Sequence, residues 1–401
     1  MKVLMINSVS GYGSTGSICE DIANVLEQQG HECYIAYGQL STSYHKSFKI
    51  GTRIENHLHN VGRRLIGKQG YYTKRGTTKL IDFIKEYNPD VIHLHNLHGN
   101  YLNLEILFDF LNLVQKRVIW TLHDCWAFTG RCAYYSDLLC DKWKTECSHC
   151  PQFKTYLSSV FLDKSQEMHR DKKKWFTKLE KATIHTVSNW LAGEVKQSLL
   201  NCYEVKPIYN WINHSIFRPV SDDSIIDQYN LNSEKFTIIC VSAQWSLGTV
   251  RYNDLIKFAK EIGNDYQIIV VGKVAKNCKF PKNCKVIPYV DGKSELAKLY
   301  NFADVYVHFS TEDTFGLVIA EAMSCGTPVV VNNVTACPEV VGEGCGYVIK
   351  SRDNLARINA VKTIEKNGKS FYSEKCRAYV LEHYDITINI NEIINLYKNK
   401  M

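Results

Sequence analysis

The sequence predicts an α/β chain of two doubly wound parallel-sheet domains with a cleft between them. Short β-branched runs alternate with amphipathic stretches, the signature of βαβ units. The alternation stops near residue 207 and restarts past residue 235. A length of 401 residues suits two or three domains of about 100–200 residues each. Hydrophobic residues make up 45% and charged residues 22%, values that exclude a disordered or collagen-like chain.

The first strand is Val3 to Ile6, which leads into Gly11, Gly13, Ser14, Thr15 and Gly16. Apolar residues at Ile18, Ile22, Val25 and Leu26 then recur with helical spacing until Gly30 breaks the pattern. Cys33 to Tyr37, Val91 to His95 and Val118 to Leu122 read as further strands, each ending in polar or glycine residues. The second half repeats the alternation in Phe236 to Val241, Gln267 to Gly272, Lys285 to Ile287, Asp304 to His308 and Thr327 to Val331. Prolines at 207 and 219 bracket the best linker candidate, so the expected domains are 1–206 and 220–401, with the final helix packing back on the first. In such sheets ligands bind beyond the carboxyl ends of the strands.

No run approaches the ~20 apolar residues of a spanning helix; Ile268 to Val271 is only strand-sized. The start, Met1 to Asn7, turns polar too early for a secretory signal, so a cytoplasmic protein is expected. The net charge of +7 is uneven: residues 46–79 hold nine Lys/Arg against Glu55 alone. Interleaved with Ile54, Leu58, Val61, Leu65 and Ile66, that segment predicts peripheral docking on an anionic membrane or clamping of an acceptor's phosphates. A second cluster, Lys172 to Lys174 with Lys164 and Arg170, reads as a solvated helix face or a phosphate site.

Fifteen cysteines without a signal argue for reduced thiols. Cys132, Cys140, Cys147 and Cys150 fall within nineteen residues with C-x7-C-x6-C-x2-C spacing. Such a set predicts a structural zinc site; the alternative is four clustered loop thiols.

The strongest local signal runs from Ser310 to Pro328. A strand ends near Phe309, a polar turn carries Glu312 and Asp313, and a helix starts near Gly316. The helix start offers backbone N–H groups and a positive dipole end to a diphosphate, and glycine lets it approach. Glu321, a turn and a half into the helix, can reach a hydroxyl pair, and Asp313 a group on the other side. Two carboxylates would repel an anion unless they bind hydroxyls, so a nucleotide-sugar fits. The alternative is an N-cap at Asp313 or Thr314 and a solvated Glu321.

These residues resemble glycosyltransferase family 4, a retaining group with the GT-B fold. Its Glu-x7-Glu signature maps onto Asp313 and Glu321. The likeness extends to residues 295–304, to Asn213 through Pro219, and to Gly13 through Gly16, His93 through Gly99 and Trp120 through Cys132. The first-domain motifs are similar to those of transferases that build capsular, exopolysaccharide and O-antigen chains. The resemblance implies that Glu321 holds ribose hydroxyls and Asp313 a donor-sugar hydroxyl. It implies that amides of Thr314, Phe315, Gly316 and Leu317 hold the diphosphate and sugar. It further implies that Gly13, Ser14, Thr15 and Gly16 let the first domain close on the diphosphate, and that His123 faces the reacting sugar. Three departures stand out: Asp313 replaces Glu, Ala243 or Gln244 stands where a clamping Arg is expected, and Ser17 follows the glycine motif where Arg is frequent. Arg251 is the candidate for the clamp's Lys. Catalysis is expected to need no metal or other cofactor.

His95, Asn96 and His98, at a strand end, are read as acceptor-binding, with core or capping hydrogen bonds as the alternative. His-x-His at 93 and 95 puts two side chains on one face without a third metal ligand. The leading expectation is therefore transfer of a sugar from a nucleoside-diphosphate donor to a glycan, lipid-linked, in cell-surface polysaccharide synthesis. A GT-B epimerase or phosphorylase and a non-catalytic glycan- or nucleotide-binding protein are the competing readings. Nucleic acid is not an expected partner.

Overall fold

Aliphatic and β-branched runs build two all-parallel sheets in the computed structural model, which describes residues 1–41, 44–154, 158–287, 290 and 292–398. The chain divides into two compact units: Met1–Ile208 together with the chain from Ile390, and Tyr209–Asn389.

The first unit contains β1 (Lys2–Asn7), β2 (Glu32–Tyr37), β3 (Ser47–Lys49), β4 (Val91–Leu94), β5 (Arg117–Leu122), β6 (Ala182–Thr186) and β7 (Glu204–Pro207), in the order β3-β2-β1-β4-β5-β6-β7. Val3, Leu4, Met5 and Ile6 are fully buried, each contributing roughly 1.5–3 kcal/mol. The order reverses at β1 and β4, which pair from Val3 with Val91 to Ile6 with Leu94. The last helix, Ile386–Lys398, ends in this unit: its Tyr397 hydroxyl meets His93 Nδ1 at 2.6 Å, and Arg117 donates to the Leu396 carbonyl.

The second unit contains β8 (Thr237–Trp245), β9 (Gln267–Val274), β10 (Cys284–Ile287), β11 (Val305–Val307), β12 (Val329–Asn332) and β13 (Gly346–Ile349), in the order β10-β9-β8-β11-β12-β13. Here the reversal falls at β8 and β11. The pairing of β8 with β9 shifts register between Val241 and Gln244, and Gly272 permits it. A Cβ there would lie 1.9 Å from the Ser242 carbonyl oxygen, and its φ is +132°. The proline-bracketed stretch is packed: Ser324 Oγ and Arg377 both donate to the Phe217 carbonyl, at 2.6 and 2.7 Å.

One helix is inside out. Over Arg53–Ile66 the buried side chains are Asn56, His59 and Arg63, whereas Ile54, Leu58, Val61, Leu65 and Ile66 face solvent. The inward groups are satisfied locally. Asn56 donates to the Gly38 carbonyl at 2.6 Å, and Arg63 donates to the Ser158 carbonyl at 2.7 Å. The Gly70 amide donates to His59 Nε2, so the proton sits on Nδ1, which faces Thr73 Oγ1 at 2.7 Å. Burial pushes His59 down to about 3, consistent with a neutral ring. Arg63 is thus an internal strut rather than a surface cation, and Lys68 pairs with Glu167. Among the described residues no helix is long and apolar enough to cross a membrane.

Candidate active site

Both sheets place their chemistry at the strand-order reversal, where crevices open beyond the carboxyl ends. In the first unit the loops after β1, β4 and β5 supply it. The helix Gly13–Gln28 begins at Gly13, so Gly13, Ser14, Thr15 and Gly16 form its first turn. Gly16 is needed for close packing, since a Cβ would lie 3.0 Å from the Gly11 nitrogen.

Beyond β4 and β5, His95, Asn96, His98, His123, Asp124 and Trp126 line one small cavity. His95 Nδ1 and His123 Nε2 are 3.0 Å apart with stacked rings. Burial, with neighbouring His185 opposing a second charge, pushes His123 down to about 3, and burial likewise holds His95 well below the usual histidine range. Both rings are neutral near pH 7. Among the described residues, His95 Nε2 and Trp126 Nε1 are buried in this cavity without a hydrogen-bond partner. An unmet polar atom of that kind costs about 1–3 kcal/mol, and the cavity of about 10 Å³ has room for one water to meet it. Asn96 bonds through its backbone, accepting from Tyr101 and donating to Asn7 Oδ1.

His123 and Asp124 are neighbours on an extended chain, where successive side chains diverge. They do, and Asp124 turns to His98 instead, at 2.8 Å, while accepting from the Trp126 amide. Burial alone would raise Asp124, but His98 and that amide hold it below the ordinary aspartate value. Asp124 and Trp126 both fall in the Trp120–Cys132 stretch; read from sequence, Asp124 is a weighed and discarded acid/base partner of His123, and Trp126 a residue that can close over the acceptor pocket. A buried carboxylate beside a predicted imidazole cluster is the signal that could have found Asp124.

In the second unit the loop after β11 brings Asp313 to His308, whose Nε2 lies 2.8 Å from Oδ2; Tyr306 meets the other ring nitrogen at 2.6 Å. Burial opposes the charge on Asp313, yet His308, Ser310 and Arg251 pull it down to about 2. Arg251, in the first turn of the helix Val250–Ile262, donates to Ser242 Oγ at 2.9 Å. Its charge therefore reaches the Asp313 carboxylate, beside the degraded clamp. Gly316 caps the helix Leu317–Ser324 in the left-handed region, with φ +91°, so neither Asp313 nor Thr314 is the cap. Phe315 is buried and packs against Tyr209 and Tyr384, which fixes the turn. Burial raises Glu321 to about 7, only partly offset by Lys293 and by the Tyr300 hydroxyl at 3.5 Å. The ionised form awaits donors such as a pair of hydroxyls.

Among the described residues, His308, Asp313 and Cys337 bring three ligand atoms within 4.8 Å of one another. Cys132, Cys140, Cys147 and Cys150 do not converge in that way. Cys147 Sγ accepts from the Gly130 amide at 3.1 Å, and burial raises Cys132 to about 12. The charges of Lys172 and Arg131 act on these thiols. Zinc would have to draw the four together on binding. Lys172 is not on a solvated face: it is buried, donates to the Trp126 and Thr129 carbonyls, and lies 3.5 Å over the Trp126 ring.

Comparison with known proteins extends this geometry. Residues 15–215 match the Glycosyltransferase Family 4 model, and residues 221–380 match Glycosyl transferases group 1. A putative colanic acid biosynthesis glycosyl transferase, WcaC of Escherichia coli K12, is 24% identical with all of both chains aligned. An O-antigen chain mannosyltransferase B of Escherichia coli is 55% identical over 59 residues, 15% of each chain. Among solved structures, HepE of Anabaena in complex with UDP-glucose superposes with a TM-score of 0.66 at 16% identity, covering 99% of each chain. The two sheets are those of the GT-B fold, and the chain belongs to glycosyltransferase family 4.

Proposed function

We propose that the chain transfers a sugar from a nucleoside-diphosphate sugar to a lipid-linked glycan, with retention of anomeric configuration, in cell-surface polysaccharide synthesis. The observation that carries this reading is the second-unit constellation: a carboxylate fixed in its charged form at Asp313, a poised carboxylate at Glu321, and a glycine-capped helix start between them. Ribose hydroxyls would donate to Glu321, a donor-sugar hydroxyl to Asp313, and amides of residues 314–317 to the diphosphate. Arg251 would offset charge on the leaving diphosphate, the electrostatic term that dominates such reactions. In a same-face displacement the leaving oxygen takes the acceptor's proton, so no protein base is required. Neutral His95 and His123, with Trp126 Nε1, would orient hydroxyls by hydrogen bonds rather than exchange protons. The WcaC and mannosyltransferase likenesses support polysaccharide synthesis, and the HepE complex supports a nucleotide-sugar donor.

A screen of radiolabelled nucleotide-sugars, with and without lipid-linked acceptor and with chelator present, tests this reading. Transfer that depends on acceptor and survives chelation is expected, with the product's anomeric coupling matching the donor's. Binding without turnover under all donors would favour the non-catalytic reading, and turnover without acceptor incorporation an epimerase or phosphorylase.

A further inference from the structure

Three side chains of the second unit converge in a way that sugar transfer does not call for. His308 follows β11, Asp313 sits on the turn beyond it, and Cys337 opens the short helix Cys337–Val340 after β12. An imidazole nitrogen, a carboxylate oxygen and a thiol sulfur there all lie within 4.8 Å of one another. The two loops are tied together beside them. The Ala336 amide donates to the Asp313 carbonyl at 3.3 Å, and Asn332 Nδ2 donates to the Ser310 carbonyl at 3.1 Å. His308 and Cys337 are buried, while the Asp313 side chain is 30% exposed, so solvent reaches the group at the carboxylate.

We propose that His308, Asp313 and Cys337 bind one zinc-class divalent cation, and that the bound ion withholds Asp313 from the donor sugar and so inhibits transfer. The second half rests on the donor reading of Asp313.

The set of ligand atoms selects the ion. A thiolate, an imidazole and a single carboxylate suit zinc, whereas magnesium, calcium and manganese prefer oxygen ligands. The thiol proton leaves to solvent on binding, and the thiolate and carboxylate together balance the ion's double charge. No net charge is then buried. Arg251, whose charge acts on Asp313 in the metal-free protein, meets a neutral site.

The geometry needs little adjustment. Zinc bonds of about 2.0–2.1 Å to nitrogen and oxygen and about 2.3 Å to sulfur set the ligand atoms of a tetrahedron roughly 3.3–3.6 Å apart. His308 Nε2 and Asp313 Oδ2, at 2.8 Å, separate by about half an ångström, and the sulfur closes by at most about 1.3 Å. The Tyr306 hydroxyl, 2.6 Å from His308 Nδ1, fixes the ring and aims Nε2 at the group. Zinc-bound histidines are oriented by such a partner on the other nitrogen. In the metal-free protein Nε2 carries the proton given to Asp313; with the ion bound, that proton sits on Nδ1 and is given to the Tyr306 oxygen. Three protein ligands leave the fourth position to water.

An ion held in this way competes with one part of the donor. Asp313 could not accept from a sugar hydroxyl, whereas Glu321 and the amides of residues 314–317 would stay open to ribose and diphosphate. Zinc should therefore weaken a nucleotide-sugar and spare the nucleoside diphosphate.

Calorimetric titration of zinc into the full chain and into Cys337→Ser tests the site. Wild type is expected to take up one more zinc than the variant, whatever Cys132, Cys140, Cys147 and Cys150 bind, and magnesium should show no such difference. UDP-glucose, GDP-mannose, UDP and GDP are then titrated in chelator or in buffered free zinc. With zinc at roughly ten times its dissociation constant, competition weakens the preferred nucleotide-sugar about tenfold. UDP and GDP should change less than about twofold, and Cys337→Ser should bind the nucleotide-sugar alike in zinc and in chelator. Unchanged thermal melting checks that the variant folds. Should it melt early, zinc-edge X-ray absorption of the loaded wild type decides, with a site of one sulfur among nitrogen and oxygen ligands expected. Equal zinc uptake by a folded Cys337→Ser, all-sulfur coordination throughout, or a nucleotide-sugar that binds wild type equally with and without zinc overturns the proposal. An extra zinc in the wild type, with no nucleotide-sugar binding even in chelator, would sink the donor reading of Asp313 and leave the metal site standing.

Discussion

The two strand-order reversals carry opposite chemistry. In the first unit the buried imidazoles of His93, His95 and His123 are neutral, depressed by burial and by neighbouring histidines, and the one carboxylate, Asp124, is paired with His98. In the second, a carboxylate is held ionised at about 2 and another is poised at about 7. Neutral donors and acceptors suit recognition of hydroxyls, which carry no charge to balance. Fixed charges suit a group whose charge changes during reaction. The difference teaches that one architecture can divide hydroxyl recognition from leaving-group control by how each loop set is solvated.

Breaking the second region should cost most. Arg251→Ala is expected to lower turnover roughly 10²–10³-fold, the typical loss of one electrostatic stabiliser, with melting little changed. Steady-state kinetics check it, and near-normal turnover would move the clamp to Lys273, near the end of β9, or to backbone amides alone. In the first region, His98→Ala leaves the Asp124 carboxylate buried without its imidazole partner, still accepting from the Trp126 amide. A cost of about 3 kcal/mol in urea unfolding is expected, with Asp124→Asn in the same background recovering part of it.

Acid sharpens the contrast, because the two regions respond with opposite sign. His123 is depressed to about 3, so the unfolded chain binds more protons and stability is lost as pH falls below about 6.5. At pH 5 that amounts to roughly 2 kcal/mol for this ring. Glu321 is raised to about 7, so its contribution is fully present below about 4.5 and lost as pH rises through 7. Hydrogen exchange at pH 5 and 7.5 should therefore show β4 and β5 opening more readily in acid, and the helix after Gly316 opening less. The smallest effect is Gly16→Ala, about 1 kcal/mol, as the Gly11 backbone shifts to admit a methyl group.

Much of the fold was legible. Nine strands followed from β-branched runs, but β3, β6, β7 and β13 did not. β3 spans three residues, Ser47–Lys49, and β13 is the short Gly346–Ile349. β6 hides behind polar spelling, with Thr183, His185 and Thr186 buried through hydrogen bonds. β7 reads as Glu-Val-Lys-Pro because it is an edge. Of the site, Asp313 and Glu321 were visible through local spacing around one helix start. The His98–Asp124 pair, the orphaned His95 Nε2 and the Arg251–Ser242 contact depend on which loops meet, which spacing along the chain does not encode. The basic segment was legible as amphipathic, yet its orientation was not: Arg63 points inward and the aliphatic stripe outward. The cysteine spacing was suggestive of zinc; Cys132 lies within electrostatic reach of Cys140, Cys147 and Cys150, while no three of their sulfurs gather within 4.8 Å.

The central claim is that Glu321, as a carboxylate, holds the donor's ribose. Calorimetric titration of UDP-glucose and GDP-mannose between pH 6 and pH 8 tests it most directly, because their diphosphates do not titrate there. With a group at about 7, the ionised fraction rises about tenfold over that range, and affinity of the preferred donor should rise with it. Glu321→Gln should bind at least tenfold more weakly at pH 8, with no dependence on pH. Wild-type affinity that is flat with pH and matched by Glu321→Gln would contradict the assignment.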